Sequence, residues 1–420
     1  MAPLLLCLVC SSWRDIVLQS ASLWSKITID ITDLLPKPAT GSQHPVSPVT
    51  KFLGHSRNWP LSIRLTANLI SLFDQSDWKV QLDTIFGRVH SRTRELNLSS
   101  PWLSNYFHTF HSDIQFPQLD SIRVTAFGGP LFDTLPKPLT AFAHSTLLRK
   151  LDYAAYISYE TALNLAVPWE QLTHITLTDV DFASWIYIFP RCTNMQSGSF
   201  VISGSPLPSP KPYAEITFPS LTYLAIHNMQ SSRSPLSLEG YSFPNLRELM
   251  LEWNLSGFDT KFLSTIKHLQ KLIISSPERH FVNMADVLSI FGLTPFVAHL
   301  HLLHDCCSSE LFEALTYHAY QQRPLLPYLR VLEVEKPPWS AIHSEEAMVS
   351  LKKMLSSRRW IFPSSKIMQL EILQMTTGVY DPVVVRETLQ QLVATGLQLK
   401  YDPATTAMER RGGCQKLSNQ

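Results

Sequence analysis

Short runs with apolar residues at the first, fourth and sixth positions recur along this chain. The clear copies are Leu119-x-x-Ile122-x-Val124, Leu148-x-x-Leu151-x-Tyr153, Leu172-x-x-Ile175-x-Leu177 and Leu221-x-x-Leu224-x-Ile226. Leu246-x-x-Leu249-x-Leu251, Leu269-x-x-Leu272-x-Ile274, Val297-x-x-Leu300-x-Leu302 and Leu329-x-x-Leu332-x-Val334 follow. Met195-x-x-Gly198-x-Phe200 is a degenerate copy, and Thr93-x-x-Leu96-x-Leu98 and Ile367-x-x-Leu370-x-Ile372 are weaker flanking ones. Alternation at the fourth and sixth positions is the period of a strand with one buried face. Successive first positions between Leu119 and Leu329 lie 23 to 32 residues apart. One short strand cannot bury its face alone, so such a period predicts coils that stack and share a core.

The spacing overlaps the roughly 20–29-residue period of leucine-rich repeats. The predicted fold class is therefore α/β: a leucine-rich-repeat-like solenoid of parallel short strands with helical or irregular returns, preceded by a small helical segment. Phe116-Pro117, Phe218-Pro219 and Phe243-Pro244 each precede a hexad. Proline there fixes φ without breaking a ladder, and the aromatic can plug the space between coils. Tyr159–Val167 and Phe258–Leu269 have helical periodicity and predict short return helices. The consensus Asn or Cys of the best-known repeats is missing after most hexads, so the array is irregular. Near the end, 345–360 reads as a helix with Met348, Leu351 and Leu355 on one face. Asp381-Pro382 starts another that runs to about Thr395, with Gly396 as its stop and Leu397–Tyr401 as a last edge strand. The predicted layout is 1–30 small helices, 31–50 Pro-rich linker, 51–401 solenoid with C-terminal cap, and 402–420 disordered tail.

Composition narrows the function. Apolar residues make up 45% of the 420, enough for a large core, while charged residues are 16% and the net charge is +1. That balance argues against a dedicated nucleic-acid binder. Cysteines at 7, 10, 192, 306, 307 and 414 are too scattered for a secreted disulfide scaffold and predict a reducing, intracellular setting. No apolar run reaches the ~18 residues of a membrane span. The apolar run from Pro3 to Cys10 lacks the basic residue that opens a secretory signal and continues as an amphipathic segment through Trp13 and Ile16.

The segment from Pro3 to Trp24 resembles the C-terminal two-thirds of an F-box: a leucine-rich helix, Val-Cys-x-x-Trp, then about ten residues to Leu-Trp. Val9, Cys10, Trp13, Leu23 and Trp24 carry the match. Lys26-Ile-Thr-Ile-Asp30 is similar to the strand that follows, and Phe52 to Leu65 to the helix and first solenoid strand of fungal F-box proteins with irregular leucine-rich repeats. The resemblance implies a substrate receptor, docked through those five residues on the Skp-type adaptor of a cullin–RING ubiquitin ligase, with catalysis left to partner enzymes. An F-box opens with a Leu-Pro-x-Glu-like segment that precedes the part matched here; on this resemblance either the copy is N-terminally incomplete or strong adaptor binding has been lost. The alternative is an adaptor-independent repeat scaffold whose N-terminal helices only cap the stack.

No phosphate loop, His-Glu-x-x-His or Gly-x-Ser-x-Gly elbow is present, so neither an enzyme nor a cofactor is expected. His299-Leu-His301-Leu-Leu-His304-Asp305-Cys306-Cys307 is the richest cluster of metal-ligand types, but its frame makes the histidines solvent-facing neighbours of core positions, and no metal is expected. Pro206 to Pro212 reads as a stiff return loop. Trp59, Trp102, Trp169 and Trp185 read as packing residues. A protein partner is expected on the concave strand face, at the outward positions of each frame. Those are Arg123, Lys150, Asp152, His174, Tyr223, His227, Glu248, Glu252, Lys271, His299, His301, Glu333 and Glu335. Acid gathers toward the C-terminal half, which suits a basic patch on the partner.

Overall fold

A computed structural model describes residues 2–31, 46–66, 77–99, 114–125, 140–203, 215–228, 238–252, 261–275, 284–303, 306–318, 324–335, 344–359, 368–377 and 382–403. Within the chain two units form, Met1–Met195 and Gln196–Gln420.

The first unit opens with helices α1 (Ala2–Leu6) and α2 (Ser11–Gln19) and a 3-10 turn, Ala21–Trp24. Its strands are β1 (Lys26–Asp30), β2 (Leu61–Thr66), β3 (Thr93–Ser99), β4 (Ser121–Thr125), β5 (Lys150–Ile157) and β6 (His174–Asp181). Each pairs parallel with the next in sequence order. Helices α3 (Val46–His55), α4 (Asp77–Val89), α5 (Tyr159–Asn164) and α6 (Phe182–Ile188) belong to the returns. The sheet begins at Lys26, inside the stretch read from sequence as F-box-like, because Trp24-x-x-Ile27-x-Ile29 is itself a hexad with all three residues buried.

The second unit repeats the plan. Its parallel strands are β7 (Ser197–Ser203), β9 (Tyr223–Asn228), β11 (Glu248–Glu252), β12 (Lys271–Ser275), β13 (His299–Leu303), β14 (Val331–Glu335), β15 (Ile372–Thr377) and β16 (Gln398–Pro403). A side pair, β8 (Ile216–Thr217) with β10 (Tyr241–Ser242), lies in the returns. Helices α7 (Met284–Leu293), α8 (Ser309–Leu315), α9 (Ser344–Arg359) and α10 (Pro382–Ala394) complete it. Both units are thus α/β stacks of leucine-rich-repeat-like coils.

The core is the set of hexad positions. All three apolar positions of the eight clear hexads are buried, and so are Met195, Gly198 and Phe200 of the degenerate copy. Parallel register stacks them directly: Leu224 pairs with Leu249, Leu249 with Leu272, and Leu272 with Leu300. The C-terminal copy needs a correction. Its true frame is Leu370-x-x-Leu373-x-Met375, since Leu373 stacks on Leu332 and Met375 on Val334, while Ile372 is only half-buried. Both frames satisfy the same template, and the neighbouring strand selects between them.

A tight turn sets up each strand. The amides of Leu119, Leu221 and Leu246 donate to the carbonyls of Phe116, Phe218 and Phe243. Those phenylalanines are fully buried, with Phe116 to Phe142 ring centroids at 5.8 Å and Phe218 to Phe243 at 5.5 Å. They fill the inter-coil space, as the Phe-Pro pattern predicts. Side-chain amides also bridge coils: Asn194 Nδ2 donates to the Glu170 carbonyl and Asn245 Nδ2 to that of Pro219, each at 2.7 Å. Asparagine bridges therefore stand ahead of two hexads, at a different position from the consensus Asn that is missing after most of them.

The returns obey helix-capping chemistry. Asp181 Oδ1 accepts from the amides of Ala183 and Ser184, Ser158 Oγ from Thr161 and Ser308 Oγ from Leu311. Gly396 takes φ +96°, ending α10 as expected from its position. On α9 the buried face is Ala347, Ser350, Leu351, Met354, Leu355 and Arg358; Leu351 and Leu355 lie on it as predicted, while Met348 is half-exposed. Trp169 and Trp185 are buried, but Trp59 is exposed and packs less than predicted. Trp102, His304, Asp305, Pro206 to Pro212, most of the Pro-rich linker and the tail beyond 403 lie outside the described residues.

Candidate interaction surfaces

Two surfaces stand out, the outward strand faces and the N-terminal helices. In the first unit, parallel register sorts the outward side chains into rows that run across the strands. One row is Lys26, Ser62, Glu95, Ser121, Lys150 and His174. The next is Thr28, Arg64, Asn97, Arg123, Asp152 and Thr176. Together they line an open groove of ≈ 580 Å³. Arg123 Nε meets Asp152 Oδ2 at 2.7 Å. Burial raises the Asp152 carboxyl above its ordinary range, a shift that the Arg123 charge and hydrogen bond only partly oppose. His174 and Lys150 are exposed as predicted. Lys26, Arg64 and Glu95 belong to the same rows and were not singled out from sequence. The signal was present: Lys26 is the third position of the Trp24 hexad and Glu95 that of the Thr93 hexad.

The second unit's outward face is different. His227 Nδ1 lies 2.7 Å from Glu252 Oε2, and Lys271 Nζ 2.8 Å from Glu248 Oε1. Tyr223 is half-buried beside Glu248, and burial, then the Glu248 charge, raises its phenol. His299 Nε2 and His301 Nδ1 approach the same Glu333 oxygen at 3.3 and 3.7 Å. His301 Nε2 is 3.5 Å from Glu335 Oε2, without hydrogen-bond geometry.

The sequence reading of this cluster as solvent-facing is corrected. His301 is 6% exposed, Glu333 4%, and Glu335 is buried too. Alternation gives the face of a residue and not its exposure. Here the outward rows also hold Ile273 and Leu303, both buried, so this face is partly closed. Much of its acid is engaged by histidine or lysine neighbours. Among the described residues no group of three or more His, Cys, Asp and Glu is arranged to hold a metal.

The N-terminal helices are the opposite case. Leu4, Leu5, Leu8, Val9, Trp13 and Ile16 are exposed, Leu8 at 76% and Trp13 at 48%, and Cys10 and Leu23 are exposed as well. Arg14 Nε donates to the Cys7 carbonyl at 3.0 Å and ties α1 to α2. Trp24 departs from its expected docking role. It is 2% exposed, its Nε1 donates to the Val17 carbonyl at 2.8 Å, and its ring packs on Phe52 and His55. As the first position of the first hexad, Trp24 has to face the core.

No protein-family model and no curated protein matches this chain. Among solved structures, the leucine-rich repeat-containing protein LegL7 from Legionella pneumophila is similar, with a TM-score of 0.36 at 17% identity over 88% of this chain and 98% of that one. TLR13 in its complex with ssRNA13 gives a TM-score of 0.32 at 11% identity, over 91% of this chain and 62% of that one. No helix among the described residues is long and apolar enough to cross a membrane.

Proposed function

We propose that this chain is a non-catalytic protein-binding receptor. Its strand face holds a protein partner, and its N-terminal helices dock the Skp-type adaptor of a cullin–RING ubiquitin ligase, which would make the held protein the ubiquitination substrate. One observation carries the reading: the apolar face of α1 and α2, from Leu4 through Val9 to Trp13 and Ile16, points to solvent. Contiguous exposed apolar surface on a protein with so large a buried core marks an interaction site. It coincides with the residues that resemble an F-box, apart from Trp24.

The test is direct capture. Purified chain and a purified Skp-type adaptor are mixed and run on a sizing column. Co-elution of wild type, lost in Leu8→Asp and in Trp13→Ala with unchanged thermal unfolding, supports the reading. Failure of wild type to co-elute overturns the adaptor role. The adaptor-independent scaffold is favoured by one observation of its own, the burial of Trp24 against Phe52 and His55, which gives the N-terminal segment a capping job whether or not it binds anything.

A further inference from the structure

We propose that the groove on the first unit's strand face takes an extended, carboxylate-rich segment of a protein partner, gripped by Lys26, Arg64 and Lys150. This rests on the reading of the strand face as a binding surface and specifies what it binds.

The charge count of the groove is the starting point. Its lining carries four cations, Lys26, Arg64, Arg123 and Lys150, against two carboxylates, Glu95 and Asp152. Arg123 is already committed to Asp152. Lys26 and Lys150 are exposed, and neither makes an ion pair among the described residues. Arg64 is half-buried, and its Nε is shielded from solvent with no hydrogen-bond partner. A shielded donor of this kind gains from any acceptor brought to it, and a guanidinium is shaped for a carboxylate.

Spacing sets the length of the occupant. Lys26 is on β1, Arg64 on β2 and Lys150 on β5. Neighbouring strands are ~4.8 Å apart, so the span from Lys26 to Lys150 is roughly 19 Å, which about six residues of extended chain cover. Ser62, Asn97 and Ser121 lie between the cations. They offer hydroxyl and amide groups to a peptide backbone.

A nucleic acid would fit less well. The groove lining has no Phe, Tyr or Trp on which bases could stack, and its two carboxylates would face phosphates. The outward positions read from sequence gather acid toward the C-terminal half, but the charges that stand open favour an acidic occupant. On the second unit's strand face the acid is largely paired or buried, so the strand-face charge open to a partner is the cationic set of the first.

Fluorescence anisotropy tests the proposal on the full chain. The probes are a labelled peptide of about ten residues carrying four glutamates, its glutamine counterpart, and an oligouridine of similar length. The glutamate peptide is expected to bind at least about tenfold more tightly than the glutamine one, and to weaken with salt. Lys26→Glu with Lys150→Glu should cost at least about tenfold, and Arg64→Gln alone a smaller loss. Lys352→Glu with Lys353→Glu, an equal charge change on exposed α9 positions, should cost nothing. Equal binding of the two peptides, no effect of the reversal, or tighter binding of oligouridine would each overturn the proposal. The adaptor co-elution above separates the two readings: wild type that captures the adaptor but ignores the glutamate peptide loses the acid preference and keeps the receptor role.

Discussion

The guanidinium of Arg358 reaches back to the end of the preceding coil's helix, its Nε donating to the Leu315 carbonyl at 2.9 Å. Nη1 and Nη2 donate to the carbonyls of Leu326 and Leu325, at 2.9 and 2.6 Å. Leu315 closes α8, so a cation caps the negative end of that helix and secures the turn before β14. Arg358 is 1% exposed, and burial pulls its guanidinium down to about 10, still charged at neutral pH. Arg358→Ala should destabilise the second unit by at least ~3 kcal/mol, because three acceptors lose their donor in a dry site. Arg358→Lys should recover little, since an ammonium cannot fork across three carbonyls. Chemical denaturation of the three proteins measures both effects. A loss below about 1 kcal/mol in Arg358→Ala would refute the clamp.

The register of the core makes a second prediction. Leu224 and Leu249 stack across β9 and β11 and are fully buried. Leu224→Asp or Leu249→Asp places a carboxylate where no partner exists and should abolish cooperative unfolding of the unit or cost several kcal/mol. Glu248→Gln, on the opposite face of the same strand, should change stability by under about 1 kcal/mol. Equal thermal unfolding of all three variants would show the frame to be wrong.

The core was legible in the sequence because stacking imposes one rule on every coil, and Leu249 or Leu300 obeys it with no help from distant residues. What escaped has specific causes. Ile372 reads in the wrong frame because Leu370, Ile372, Leu373 and Met375 fit one template two ways. His301 and Glu333 lie on the predicted face, yet their burial depends on neighbours such as Ile273 that belong to other coils. Arg358 is charged and so reads as surface, although it falls seven residues after Leu351 on the buried face of α9. Trp24 fits the F-box resemblance as well as the hexad template, and only its burial shows it to be the first residue of the first hexad. Of the binding face, the hexad frame gives Arg123 and Lys150, whereas Lys26 and Arg64 lie on strands ahead of the clear copies of the repeat.

Trp24 and Trp13 should respond in opposite ways to substitution. Trp24→Ala removes a fully packed indole and its hydrogen bond to Val17 and should cost ~3–5 kcal/mol of the first unit's stability. Trp13→Ala removes an exposed ring and should leave stability within about 0.5 kcal/mol while abolishing adaptor co-elution. Differential scanning calorimetry beside the sizing-column assay resolves the pair. If Trp13→Ala unfolds the N-terminal segment, the exposed face is structural and the docking argument fails.

Buried phenols predict how the fold responds to alkali. Burial raises both Tyr153, on β5, and Tyr241, on β10, to about 12 from an ordinary value of 10. The unfolded chain ionises these groups near pH 10 while the folded chain holds them neutral. Their contribution is therefore complete below pH 10 and is lost as pH climbs toward 12, at about 1.4 kcal/mol per pH unit for each phenol. Tyr153→Phe and Tyr241→Phe should each flatten the fall in stability between pH 10 and 12, and the double variant should flatten it most. Urea unfolding at intervals across that range measures the slope. A slope unchanged by both substitutions would mean that the phenols ionise as readily in the folded chain as in the unfolded one, and so that neither is held in an apolar site.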